Sequence, residues 1–148
     1  MLTDQQVFLR LSLSLVLSGL IGFERQLHRR SAGLRTHIMV SIGSCLIMLT
    51  SMYVFDIYKN QANVDPSRIA AGVITGIGFL GAGTIIRAPE GIRGLTTAAS
   101  LWVAAGIGLS VGCGFYSAGI FTTVLSLISL VFLRKMEDKV TDMEEKRG

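Results

Sequence analysis

Residues 95–133 run for 39 positions without a single charge, and residues 69–86 run for 18. Two further apolar blocks precede them, over residues 7–23 and 36–55, the first broken only by Arg10. Within these blocks the apolar positions neither alternate nor follow a one-sided 3.6 period, which is the pattern of segments apolar all round. A bilayer core of about 30 Å needs about 20 such residues in a helix. The 39-residue block is too long for one crossing, and Gly112-Cys113-Gly114 supplies a turn inside it. The pattern therefore predicts an all-α membrane protein, a compact bundle of about five transmembrane helices over residues 7–23, 36–55, 69–86, 95–111 and 115–133. The segment 95–111 is short and rich in glycine, and either crosses fully or re-enters. Residues 134–148 form a short polar tail, which either continues the last helix along the membrane surface or is a solvated end.

The first block competes with a secretory signal. It runs directly into Glu24-Arg25-Gln26-Leu27-His28-Arg29-Arg30 without a small-residue cleavage site, so it reads as an uncleaved span. Arg10 lies near one end of it, where its side chain can snorkel to the interface.

Charge fixes the expected orientation. With five spans, one side holds Arg25, Arg29, Arg30, Arg35, Arg87, Arg93, Arg134, Lys135, Lys139, Lys146 and Arg147, 11 of the 14 basic residues. Arg10, Lys59 and Arg68 remain for the other. Basic loops stay in the cytoplasm, which places the N-terminus outside and the C-terminus inside. The composition agrees: 16% of residues are charged and 50% hydrophobic, where a soluble domain carries about 25% charged. The net charge of +4 is thus a topology signal, with no nucleic-acid partner implied. Cys45 and Cys113 show no metal or CxxC spacing and read as free buried thiols.

The third block has a marked start, Asp65 as a helix cap and Pro66 at the first helical position. Arg68 follows one turn on. Asp65 has an alternative reading as a cation ligand. Gly72, Gly76 and Gly83 fall on one helical face, and Gly78 and Gly81 on the opposite one. In water each such glycine costs a helix about 1 kcal/mol relative to alanine; in a membrane, small residues let helices approach closely. All five are helix-packing candidates.

Polar residues crowd the cytoplasmic ends, His28, Arg29 and Arg30 among them, and the candidate functional cluster is Glu24, Arg25, Arg35, Thr36, His37, Thr96 and Thr97. Thr36 stands where the second helix starts, and Thr96 and Thr97 follow Gly94. Helix N-termini favour anions. Two readings stay open: a pocket in which Glu24 pairs with arginines and helix ends cradle an anionic group, or arginines that fix topology and touch lipid headgroups. The span interiors lack the carboxylates a Mg²⁺ path normally offers. Thr75, Thr84, Ser100 and Ser110 supply hydroxyls at most. No GxxxxGK[ST] loop and no hydrolytic triad occurs. No cofactor is expected, the metal question is open, and Mg²⁺ binding is not indicated by the residues.

Four segments in order, GLIGFERQ, RRSAGLRTH, DPSRIAAGVITGIGFLGAGTII and GLTTAASLWVAAGIG, resemble the MgtC/SapB family of bacterial inner-membrane proteins, over about residues 15–115. The resemblance implies a small bundle of four or five spans, in a form without the soluble C-terminal domain many members carry. It implies a non-enzymatic protein tied to low-Mg²⁺, stress and intracellular adaptation, with virulence in pathogens. A modulator of another membrane complex, such as the F-type ATP synthase, is the expected role. A Mg²⁺ or other small-ion transporter is the alternative, and a membrane enzyme using Glu24 and His37 as acid and base is a third. Expected partners are membrane lipid and either another membrane protein or a second copy of the chain. By motif the resemblance carries over to Glu24, Arg25, Arg35, Thr36, His37, Asp65, Arg68, Thr96 and Thr97.

Overall fold

A computed structural model describes residues 2–61, 63–89, 91–134 and 136. The expected tail, from 137 to 148, lies outside the described residues. Five helices form the bundle: α1 (Asp4–Leu27), α2 (Leu34–Tyr58), α3 (Ser67–Ala82), α4 (Leu95–Gly112) and α5 (Tyr116–Ile128), the last continued by a π-helical turn over Ser129–Leu133. Four of them are long and apolar enough to cross a membrane, counting α5 with its π turn. Most of their large apolar side chains face outward, among them Phe8, Phe79, Phe121 and Phe132, a surface that lipid satisfies. The fold is an all-α membrane bundle.

The third segment departs from expectation. The helix is 16 residues, Ser67–Ala82, about 24 Å at 1.5 Å per residue, not an 18-residue span to Ile86. Thr84 and Ile85 turn back onto the carbonyls of Gly81 and Ala82. Ile86–Ala88 then pairs antiparallel with Gly91–Arg93 as a small exposed hairpin, β1 and β2. Hydropathy reads Gly83 to Ile86 as more of the same block, but tertiary contact ends the helix there. Gly94 has φ +91° and sits so tightly on the Thr84 carbonyl that a Cβ at residue 94 would collide with it.

α4 is the centre of the bundle and packs against α1, α2, α3 and α5. It is an 18-residue helix, long and apolar enough to cross a membrane, with half of that window buried. The close packing is not where the α3 glycines suggest. A Cβ at Gly108 would run into the Ser41 carbonyl, and one at Gly112 would stand 2.8 Å from Met48 Cβ and 2.9 Å from the Cys45 carbonyl. Gly108 and Gly112 are one turn apart, a small-xxx-small seam against α2. Gly22 on α1 similarly admits the backbone of Leu34 at 2.8 Å. At Gly72, Gly76 and Gly78 a Cβ would meet open space, Gly81 rests on Ala98, and Gly83 touches only its own turn.

Arg10 does not snorkel. It is 7% exposed, and its Nη1 donates to the Gly112 carbonyl at 2.8 Å while its Nε donates to Tyr116 Oη at 3.1 Å. The end of α4 explains why. Gly114, with φ +89°, closes a Schellman cap in which Phe115 N–H donates to Ser110 O and Gly114 N–H to Val111 O. Cys113 N–H takes Leu109 O, and the Gly112 carbonyl falls to Arg10. The guanidinium also sits at the negative end of the α4 dipole. Arg10→Met should lower stability by about 2 kcal/mol, the scale of a buried hydrogen bond to a charged group. An unchanged thermal midpoint in detergent would show that the guanidinium adds nothing to this helix end. Of the cysteines, Cys45 is buried as expected, but Cys113 is exposed; both are free.

Candidate functional site: a basic cavity and an open helix face

The C-terminal ends of α1 and α5, the N-termini of α2 and α4 and the hairpin gather at one end of the bundle. Ser31 bonds Thr97 Oγ1 at 3.4 Å, and Arg134 Nη1 donates to Glu24 Oε1 at 3.1 Å across 110 residues of sequence. α1 ends in a second Schellman turn: Arg29 N–H donates to Gln26 O and Arg30 N–H to Arg25 O. Its left-handed position is filled by Arg29 at φ +52° rather than by glycine, at a cost of about 1 kcal/mol. That turn carries Arg30 to the rim of a cavity.

The cavity holds about 780 Å³ and is lined by Arg25, Arg30, Arg93 and Arg134, by the first turn of α4 and by the π turn of α5. Glu24 stands behind it. Its Oε2 accepts from Arg25 Nε and its Oε1 from Arg134 Nη1, while His28 Nδ1, which donates to the Glu24 backbone carbonyl at 2.7 Å, stands 3.1 Å from Oε1. Glu24 and Arg25 are 7% and 3% exposed. Gly94 has no side chain to cap α4, and among the described residues no other side chain does so. The N–H groups of the first turn therefore face the cavity mouth beside Thr96 and Thr97.

Beneath this cluster lies His37, fully buried. Its Nδ1 is 2.9 Å from the Gly33 carbonyl and its Nε2 3.0 Å from Ser100 Oγ. A carbonyl can only accept, so Nδ1 carries the proton, and in the neutral ring Nε2 accepts from the Ser100 hydroxyl. His37 thus ties α2 to α4.

The expected cluster is therefore split. Glu24, Arg25, Thr96 and Thr97 come together at the cavity, with His37 one layer below. Arg35 and Thr36 are exposed on α2 away from it. Asp65 and Arg68 sit at the other end of the bundle. Asp65 Oδ1 accepts from Ser67 N–H at 2.8 Å and Ser67 Oγ at 2.7 Å. The Ser67 hydroxyl, and then its backbone N–H, hold the Asp65 carboxyl below the usual carboxylate range. Arg30, one of the polar residues expected at this end, lines the cavity; the lining residues sequence reasoning left out of the site are Arg93 and Arg134. Arg134 had one signal: it is the first charge after the 39-residue block. Among the described residues, no group of three or more His, Cys, Asp or Glu is arranged to hold a metal.

A second feature lies on the side of the bundle. Gly43 of α2 and Gly72 and Gly76 of α3 open an apolar groove of about 660 Å³, walled by Met39, Ile69 and Leu80.

An all-α membrane bundle with a basic, helix-capped cavity at one end is the class this chain defines. Within that class it belongs to the MgtC family, whose family model matches residues 11–139. It is 46% identical over 127 residues to YhiD of Escherichia coli K12, named as a candidate magnesium transporter, covering 84% of this chain and 59% of that protein. It is 39% identical over 135 residues to the protein MgtC of Salmonella typhimurium, covering 91% of this chain and 55% of that one. An uncharacterized Haemophilus influenzae protein is 39% identical over 128 residues, 84% of this chain and 54% of the relative. The chain thus spans little more than half the length of these relatives. No solved structure matches it.

Proposed function

We propose that this chain is a non-enzymatic multi-pass protein of a bacterial inner membrane, N-terminus outside and basic end in the cytoplasm, that serves magnesium homeostasis by binding a helix of another membrane complex. The observation that carries this reading is the groove between α2 and α3. Gly72 and Gly76 have open space where a side chain would stand, at membrane depth, on a helix only partly covered by its own chain. Small residues facing outward on both walls are the surface a partner's transmembrane helix needs for close approach. The magnesium link rests on the family and on the relatives' names. The interior hydroxyls support docking over conduction: Ser110 and Thr84 donate to carbonyls of their own chain at 2.9 and 2.8 Å, and Ser100 is taken up by His37, rather than facing a path.

The transporter reading has the name of the Escherichia coli relative in its favour, so the test separates the two. Purified, folded protein in liposomes is expected to pass no Mg²⁺ above empty vesicles. A cysteine placed at Gly76 should cross-link to a partner membrane protein in cells, with the membrane sector of the F-type ATP synthase as the first candidate. Gly76→Leu should abolish the cross-link at an unchanged melting temperature. Saturable flux, lost on Glu24→Ala with Asp65→Ala, would overturn the modulator reading.

A further inference from the structure

The basic cavity has a cation excess that the described residues do not neutralise. Arg25 and Arg134 both line it, and both share the single carboxylate of Glu24. Among the described residues no other carboxylate lies within ion-pair distance of either. Arg25 is 3% exposed, so little water compensates it, and an under-compensated charge in such a place calls for a counter-ion. Arg30 adds a further positive charge at the rim. The uncapped first turn of α4 contributes N–H donors at the same mouth.

The cavity is not closed on its membrane side. Thr96, Ser129 and Leu130 line both it and a second, mostly apolar groove of about 370 Å³ between α4 and α5. The groove descends along Ala99 and Val103 of α4 and Leu125 of α5. From Thr96 to Val103 is seven residues, about 10 Å along the helix. A cationic chamber at the interface thus opens into an apolar channel running toward the bilayer centre.

We propose that this cavity and groove together bind one anionic phospholipid, its phosphate among Arg25, Arg30 and Arg134 and an acyl chain in the α4–α5 groove. Inorganic phosphate would satisfy the arginines alone and leave the groove without a role. A zwitterionic lipid carries the same phosphate but brings an ammonium toward the guanidiniums. The occupant is therefore a lipid of net negative headgroup, such as phosphatidylglycerol.

The test uses the full chain purified in a neutral detergent, titrated with phosphatidylglycerol, phosphatidylcholine or inorganic phosphate, with bound species read by native mass spectrometry. Phosphatidylglycerol should be held about tenfold or more tightly than phosphatidylcholine, and inorganic phosphate should compete poorly. Arg30→Gln, which removes no ion pair seen among the described residues, should lower phosphatidylglycerol occupancy several-fold. Arg30→Gln with Arg134→Gln should remove the preference over phosphatidylcholine. Ala99→Trp, which fills the groove, should weaken the lipid without changing the weak binding of phosphate. Trp102 fluorescence and the melting temperature, read on the Arg30→Gln and Ala99→Trp proteins, check that they fold. Equal binding of the two lipids, or occupancy untouched by Arg30→Gln, would overturn the proposal. So would full competition by inorganic phosphate with no effect of Ala99→Trp, which would make the cavity a simple anion site.

Discussion

Gly108→Leu should prevent the bundle from forming, or cost it about 3 kcal/mol or more. The first atom added at residue 108 already collides with the Ser41 carbonyl and stands 2.8 Å from Ser44 Cβ. The carbonyl belongs to the backbone of α2 and cannot rotate away, so α2 and α4 must separate. That separation takes with it the buried contacts of Cys45, Leu49, Ile107 and Val111. Overpacking a core that can relax costs about 1–3 kcal/mol; here the obstacle is main chain, and the upper end applies. Gly106 is the matched control. It lies half a turn away with nothing within 4 Å of its Cβ position, and Gly106→Leu should unfold at the wild-type midpoint. The comparison is read as unfolding of the detergent-solubilised protein followed by Trp102 emission. If Gly108→Leu unfolded together with Gly106→Leu, the seam between α2 and α4 would not be the centre of the fold.

The second large effect is expected at Glu24. Its carboxylate accepts from Arg25 and Arg134 while 7% exposed. Glu24→Leu removes the one anion and leaves Arg25 buried with its charge uncompensated. Breaking a buried pair from one side costs about 3–5 kcal/mol. Removing both partners costs less, because the stranded charge goes too. Glu24→Leu with Arg25→Leu should therefore recover part of the loss, and the two substitutions should be clearly non-additive. Wild-type stability in the single variant would mean that the cluster is solvated and the arginines act singly. The same arrangement sets the cavity's charge, since Glu24 neutralises one of the two guanidiniums it touches.

These two sites differ in how far the sequence announces them. Glu24 and Arg25 stand out because they follow an apolar block directly, and their place at one end of the bundle follows from length and hydropathy alone. Gly108 does not stand out against Gly106. Both lie on α4, and only the direction each faces separates an obligatory glycine from a neutral one. The α3 glycines mislead for the same reason. Their spacing says that they share faces, not that another helix of this chain covers them, and Gly72 and Gly76 face an open groove.

The sequence by itself determined the membrane class, the number and order of the apolar segments, the turn at Gly112 to Gly114 and the gathering of basic residues at one end. Each of these depends on local composition and on the thickness of a bilayer, which are properties of a segment taken alone. The tertiary structure decided where α3 stops, which glycines are packed, that Arg10 closes the end of α4, and that Arg134 reaches Glu24 from 110 positions away. Each of those depends on which backbone lies within about 4 Å, and a one-dimensional pattern carries the period of a helix without carrying its neighbour.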